Sequence, residues 1–149
     1  MSKHKAKLTW KRTTPDFDYE TYDRSHEIIF EGGQKVGGSA AVEYKGKKEF
    51  TNPEELLAAS LASCHMLTFL AIAAKSRYVV DSYQDDAVAV LEKNAEGQVV
   101  VTTVTLHPKV TFSGEHRPDA AKLQELHEKS NRHCMIENSI KSRVVVAVS

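Results

Sequence analysis

Cysteine is scarce in this sequence: Cys64 and Cys134 are the only two. That excludes a disulfide-stapled scaffold and leaves two readings, a pair of inert buried thiols or a reactive pair. Surplus charge is absent as well, since 20 basic and 20 acidic residues cancel at a sequence pI near 7.1. No field of one sign remains to attract nucleic acid or an anionic membrane. The chain has no Gly-rich phosphate loop and no dinucleotide fingerprint, and no cofactor is expected. Repeats and low-complexity tracts are missing, and 149 residues suit a single domain, 1–149, with a real core. The first residues, MSKHKAKLTW, hold no apolar run. The expectation is therefore no signal peptide and a cytoplasmic location.

What the chain does have is one long uncharged run. The 19 residues from Leu56 to Ala74 contain no Asp, Glu, Lys or Arg. Asn52, Pro53 and Glu55 before it have the spacing of a helix N-cap, first helical position and capping-box partner. Lys75 and Arg77 place positive charge where the helix dipole prefers it. Length alone would allow a membrane span. Ser60, Ser63, Cys64, His65 and Thr68 interrupt the run, however, and the rest of the chain is highly charged. A long, mostly buried central helix with Cys64 near its middle is the expectation, with no membrane partner.

Around it the pattern is β-rich. KLTW, Glu27 to Gly33 and Gly38 to Tyr44 read as strands before the helix, separated by glycine turns. Ser82 to Leu91 and Gln98 to Phe112 follow it, flanking a hairpin signal at Asn94-Ala95-Glu96-Gly97. Pro118 is expected to open a second helix, in which Glu125 and Lys129 form an i,i+4 pair. RVVVAVS closes the chain as a strand. The order is β-β-β-α-β-β-α-β, an α+β class.

Chemistry concentrates at few positions. Burial would raise the Cys64 pKa, so a nucleophilic Cys64 needs a nearby cation. Arg24, in the polar and aromatic stretch TTPDFDYETYDRSH, is the best candidate, and Glu54 could orient it. Both also have plain explanations, as a surface charge and a first-turn glutamate. Cys134 follows a polar helix end, a place that leaves it mobile enough to reach a sulfenic acid on Cys64. Cys64-His65 and His133-Cys134 together offer a zinc ligand set. Adjacent helical residues point about 100° apart, which argues against a shared metal and for His65 as a hydrogen-bonded interior histidine.

TNPEELLAASLASC (Thr51 to Cys64), with a second cysteine about seventy residues on and after another helix, resembles the OsmC/Ohr family. These are the osmotically inducible protein C and organic hydroperoxide resistance proteins. YDRSHEIIFEGG and SCHMLTFL resemble a less-studied branch of that family. The resemblance implies an OsmC-like fold, an intertwined homodimer, and a thiol-dependent peroxidase acting on organic hydroperoxides. It implies Cys64 as the peroxidatic and Cys134 as the resolving cysteine, joined in a disulfide that an external dithiol, such as a lipoyl protein, reduces. It places the family's glutamate on Glu54 and its arginine on Arg24, with Arg12 the alternative. Phe17, Tyr22 and Met66 are the expected substrate-binding side chains, favouring an alkyl tail over hydrogen peroxide. No metal is expected. The rival reading is a non-catalytic module of the same fold that binds a small apolar ligand.

Overall fold

The computed structural model describes residues 1–148. Among them run β1 (Ala6–Thr9), β2 (His26–Phe30), β3 (Lys35–Gly38), α1 (Pro53–Lys75), β4 (Val79–Gln84), β5 (Val88–Lys93), β6 (Val99–Leu106), β7 (Lys109–Ser113), α2 (Ala120–His133) and β8 (Arg143–Val146). The class is α+β. The chain divides into two compact units, Met1–Leu56 and the residues from Leu57 on, with the division inside α1.

In the first unit β1, β2 and β3 form an antiparallel meander, with Leu8 opposite Ile28 and Ile28 opposite Val36. The third strand is shorter and earlier than the expected Gly38 to Tyr44. After Gly38 the chain leaves the sheet for a 3-10 turn, Val42–Tyr44, and doubles back. The doubling is tight: a Cβ on Gly46 would stand 1.5 Å from the Ala40 carbonyl oxygen, and Lys45 before it has φ of 64°. The returning chain is pinned where the Ser39 N–H donates to the Thr51 carbonyl at 2.8 Å.

In the second unit one stripe of α1 is buried: Ala58, Leu61, His65, Phe69 and Ala73, at the three- and four-residue spacing of a helix face. Its upper part packs with Val104, Leu106 and Cys134, and its lower part with Tyr78 and Leu126. The expectation of a mostly buried helix needs correction. The layers of a single chain cover one face only, and Leu67 on another stays 61% exposed. By length and composition α1 could also cross a bilayer, but its buried stripe is instead the spine of two core clusters.

The two strands expected after α1 each break into two. β4 pairs with β7, while β5, β6 and β8 form a separate sheet, antiparallel between β5 and β6 and parallel between β6 and β8. Both breaks fall at one level. Asp85 accepts from the His107 N–H at 2.7 Å, and His107 Nδ1 lies 2.8 Å from the Asp86 carbonyl. Pro108, which has no N–H for a ladder, sits buried beside them. The Asn94–Gly97 hairpin forms as expected, with Asn94 Oδ1 accepting from the Glu96 and Gln98 N–H groups and Gly97 at φ of 79°. Helix α2 begins later than expected: Asp119 is its cap, accepting from the Lys122 N–H at 2.8 Å, and Pro118 lies outside. The Glu125–Lys129 ion pair is present at 2.7 Å.

Candidate active site

The start of α1 separates two adjacent glutamates. Glu55 completes a capping box: its N–H donates to Asn52 Oδ1 at 2.8 Å, and its carboxylate accepts from the Asn52 N–H at 3.1 Å and the Thr51 hydroxyl at 3.2 Å. Glu54 has no part in the cap. One of its carboxylate oxygens, Oε2, is buried with no hydrogen-bond partner. Such a group costs folding energy unless something else meets it, so the structural task falls to Glu55 and Glu54 is left over.

Ten residues further along α1, Cys64 faces the upper core cluster, half-buried, while Cys134 at the end of α2 is fully buried in it. The two thiols are neighbours in that cluster, close enough to act on one another. Cys134 is not loosely tethered, as its place after a helix end suggested. Its sulfur accepts from the Glu137 N–H at 3.4 Å, and its backbone N–H bonds to the Asn131 carbonyl. Burial first, then the contact with Cys64, pushes the Cys134 thiol up to about 11. Cys134 is therefore a protonated thiol near neutral pH, held against a partner that water can reach in part.

Arg24 lies in the first unit, in the segment before β2. Its guanidinium donates to the Tyr22 carbonyl at 2.9 Å and the Tyr19 carbonyl at 2.7 Å. It also stands over the Tyr22 ring, 4.0 Å from the centroid. Two of five donors are thus engaged and the rest are available. Arg12, the alternative, is exposed and donates to the carbonyls of Thr14 and Pro15 in its own loop. Arg24, Phe17 and Tyr22 come together on the wall of one pocket of about 510 Å³, which His26 and Pro53 also line. The structure does not put Glu54 on the Arg24 guanidinium, whose donors go to the Tyr22 and Tyr19 carbonyls. Ten residues of helix separate Glu54 from Cys64 by about 15 Å. Met66 sits half-buried on α1 in the second unit.

Among the described residues no group of three His, Cys, Asp or Glu side chains is placed to hold a metal. The Cys-His and His-Cys dipeptides do not form one cluster: His133 is exposed, while His65 Nε2 lies 3.0 Å from Nδ1 of His127.

The family model for OsmC-like proteins matches residues 46–149. The chain belongs to the OsmC family. An OsmC-like protein of unknown function from Vibrio cholerae is 42% identical, with all of both chains covered and a TM-score of 0.96. An organic hydroperoxide resistance protein OsmC from Legionella pneumophila shares the fold at 21% identity and a TM-score of 0.73, over 100% of this chain and 96% of that one. The organic hydroperoxide resistance protein OhrB of Bacillus subtilis does so at 19% and 0.66, over 99% and 97%. No curated protein matches the chain.

This OsmC-family chain also holds functional candidates that the sequence did not single out. Trp10, Tyr19 and Tyr44 join Phe17 and Tyr22 around the pocket, and they come from three separate segments. His127 is the second. It and His65 are wholly buried, with nearly parallel rings, and one must donate to the other. Burial holds each imidazole down at about 4, Asn131 working weakly against this at His65 and the neighbouring His65 reinforcing it at His127. Nothing in the helical pattern of α2 marks His127 apart from its place next to Leu126.

Proposed function

We propose that this OsmC-family protein is a thiol-dependent peroxidase that reduces organic hydroperoxides to alcohols. The observation that carries this reading is the contact of Cys64 with Cys134 inside an apolar cluster. Two lone cysteines, seventy residues apart, meet with one partly open and the other enclosed. The Cys64 thiolate attacks the outer oxygen of ROOH, the O–O bond breaks, and the alkoxide takes a proton to leave as ROH. Cys64 is now a sulfenic acid. Cys134 condenses with it, forming the disulfide and releasing water, so no second peroxide can over-oxidise Cys64. An external dithiol, such as a lipoyl group on a protein, restores both thiols.

Arg24 is the cation that favours the thiolate and polarises the peroxide, and Glu54 is the carboxylate that holds it. Glu54 lies about 15 Å along the helix from Cys64 on its own chain. The reading therefore includes a homodimer, in which Glu54 of one chain serves the site containing Cys64 of the other. The uncovered face of α1 and the unpartnered Glu54 oxygen support this. Stoichiometric cumene hydroperoxide should remove two thiols per chain and leave a Cys64–Cys134 disulfide. Turnover should follow with dihydrolipoamide supplied, with thioredoxin run beside it. A ligand-binding module with incidental cysteines would consume no peroxide.

A further inference from the structure

The pocket in the first unit gathers five aromatic rings in a chain that is only 7% aromatic. Three of them brace one another at tilted or edge-on angles. Phe17 and Tyr22 have centroids 5.1 Å apart at 47°, Trp10 and Phe17 lie at 5.9 Å and 60°, and Trp10 and Tyr22 at 6.3 Å and 84°. The indole N–H of Trp10 donates to the Asp23 carbonyl at 2.7 Å, which fixes the ring. These are not core residues, for Phe17 is 69% exposed and Trp10 and Tyr44 are each 42% exposed. Rigid, uncovered aromatic surface around a concavity is unusual unless something is meant to cover it.

The rest of the wall narrows the occupant. Arg24 and His26 supply the polar end, and Ser39, Ala40 and Pro53 complete the lining. Among the described residues no carboxylate and no long aliphatic side chain faces the space. A flexible alkyl tail would gain only the burial of its area here. A flat arene gains that and also the edge-to-face attraction of ring quadrupoles. The volume, about 510 Å³, suits a molecule of one or two rings.

We propose that this pocket is an arene-selective subsite, and that Trp10, Phe17, Tyr22 and Tyr44 set a preference for aryl-bearing over alkyl hydroperoxides. The binding part stands on the pocket alone; the preference in turnover rests on the peroxidase reading above. The subsite keeps Phe17 and Tyr22 from the expected substrate-binding side chains and turns the preferred tail from alkyl to aryl.

Trp10 is the chain's only tryptophan, so its fluorescence reports on this site alone. The probes are 2-phenyl-2-propanol and 2-cyclohexyl-2-propanol, which share a carbon skeleton and differ in aromaticity; neither has a peroxide bond. The phenyl alcohol should perturb Trp10 saturably and bind at least about threefold more tightly, the scale of one aromatic pair. Phe17→Leu and Tyr44→Leu, at exposed positions where folding is little affected, should each shrink that ratio toward one. Equal or tighter binding of the cyclohexyl alcohol overturns the subsite. So does a Trp10 signal that ignores both alcohols and responds only to dilution of the protein, since a second copy would then cover the rings. The matching pair of hydroperoxides is then compared by kcat/KM, with the phenyl compound expected to be favoured. Arene-selective binding without any peroxide consumption would overturn the peroxidase reading and leave the subsite standing.

Discussion

Two side-chain pairs bridge α1 and the far end of the chain from neighbouring positions: Cys64 with Cys134, and His65 with His127. Burial acts on both and drives each toward its neutral form, raising the Cys134 thiol to about 11 and lowering both imidazoles to about 4. The outcome differs because the chemistry differs. A neutral thiol still condenses with a sulfenic acid and loses its proton only at that moment. A neutral, enclosed imidazole pair has no reactive partner, and its outer nitrogens, His65 Nδ1 and His127 Nε2, are unbonded. One pair is half open to solvent, whereas the other is sealed by Phe69, whose ring lies 4.5 Å from His127. The same low-dielectric core therefore holds a thiol pair that water reaches in part and an imidazole pair that it does not, and under the peroxidase proposal that access separates a redox pair from a structural clasp.

The comparison breaks most visibly at the cysteines. Cys64→Ser should bring hydroperoxide removal to the level without protein, while the fold, followed by circular dichroism, is kept. Cys134→Ser should react once and then accumulate sulfinic acid on Cys64, seen as a mass gain of two oxygens. Full activity in Cys64→Ser would sink the assignment. Next comes the cation proposed to favour the Cys64 thiolate. Arg24→Ala should slow peroxide reduction about a hundredfold, the scale of one lost electrostatic contact in a site. Arg12→Ala should change it less than about twofold, since Arg12 contacts only its own loop. The reverse order would move the role to Arg12.

Acid sharpens the histidine side. Both folded-state values, about 4, lie below the ordinary 6.5, so the unfolded chain takes up protons first as the pH falls. The stabilisation is complete above about pH 6.5 and is lost progressively toward pH 4, by roughly 1.4 kcal/mol per pH unit for each histidine. Urea unfolding across that range measures it. Replacing both His65 and His127 with Leu should flatten that slope, because no buried proton acceptor remains. His127→Leu alone should cost about 1–3 kcal/mol by stranding His65 Nε2. The smallest effects separate Glu55 from Glu54. Asn52→Ala should lower stability by about 1 kcal/mol through the lost cap, and Glu55→Ala by a similar or smaller amount. Glu54→Ala should leave stability unchanged or raised, since its buried oxygen has no partner to lose, and should reduce activity instead. A Glu54→Ala protein as destabilised as Asn52→Ala would make Glu54 a structural residue.

Local patterns made part of this legible. The Asn52–Glu55 capping box, the Asn94–Gly97 turn and the Glu125–Lys129 pair are read from residues a few positions apart, and all three form. So are the α+β class and the OsmC resemblance, because uncharged helix, strand runs and the motif around Cys64 are contiguous stretches. Spacing along a helix was enough to say that Glu54 cannot reach Cys64 within one chain. Sequence alone did not show that the long β segments bend at Asp85 and His107-Pro108. Those residues are 22 positions apart and act only once a hydrogen bond joins them. It did not show that α1 is covered on one stripe only, since coverage depends on which layers pack there. It gave no sign that Cys134 is clamped rather than mobile, that His127 meets His65 across 62 residues, or that Trp10 and Tyr44 join Phe17 and Tyr22 in one pocket. Periodicity and capping come from interactions within a turn or two of chain. Which distant side chains meet, and how much water reaches them, is decided by packing, and at these sites packing sets the chemistry.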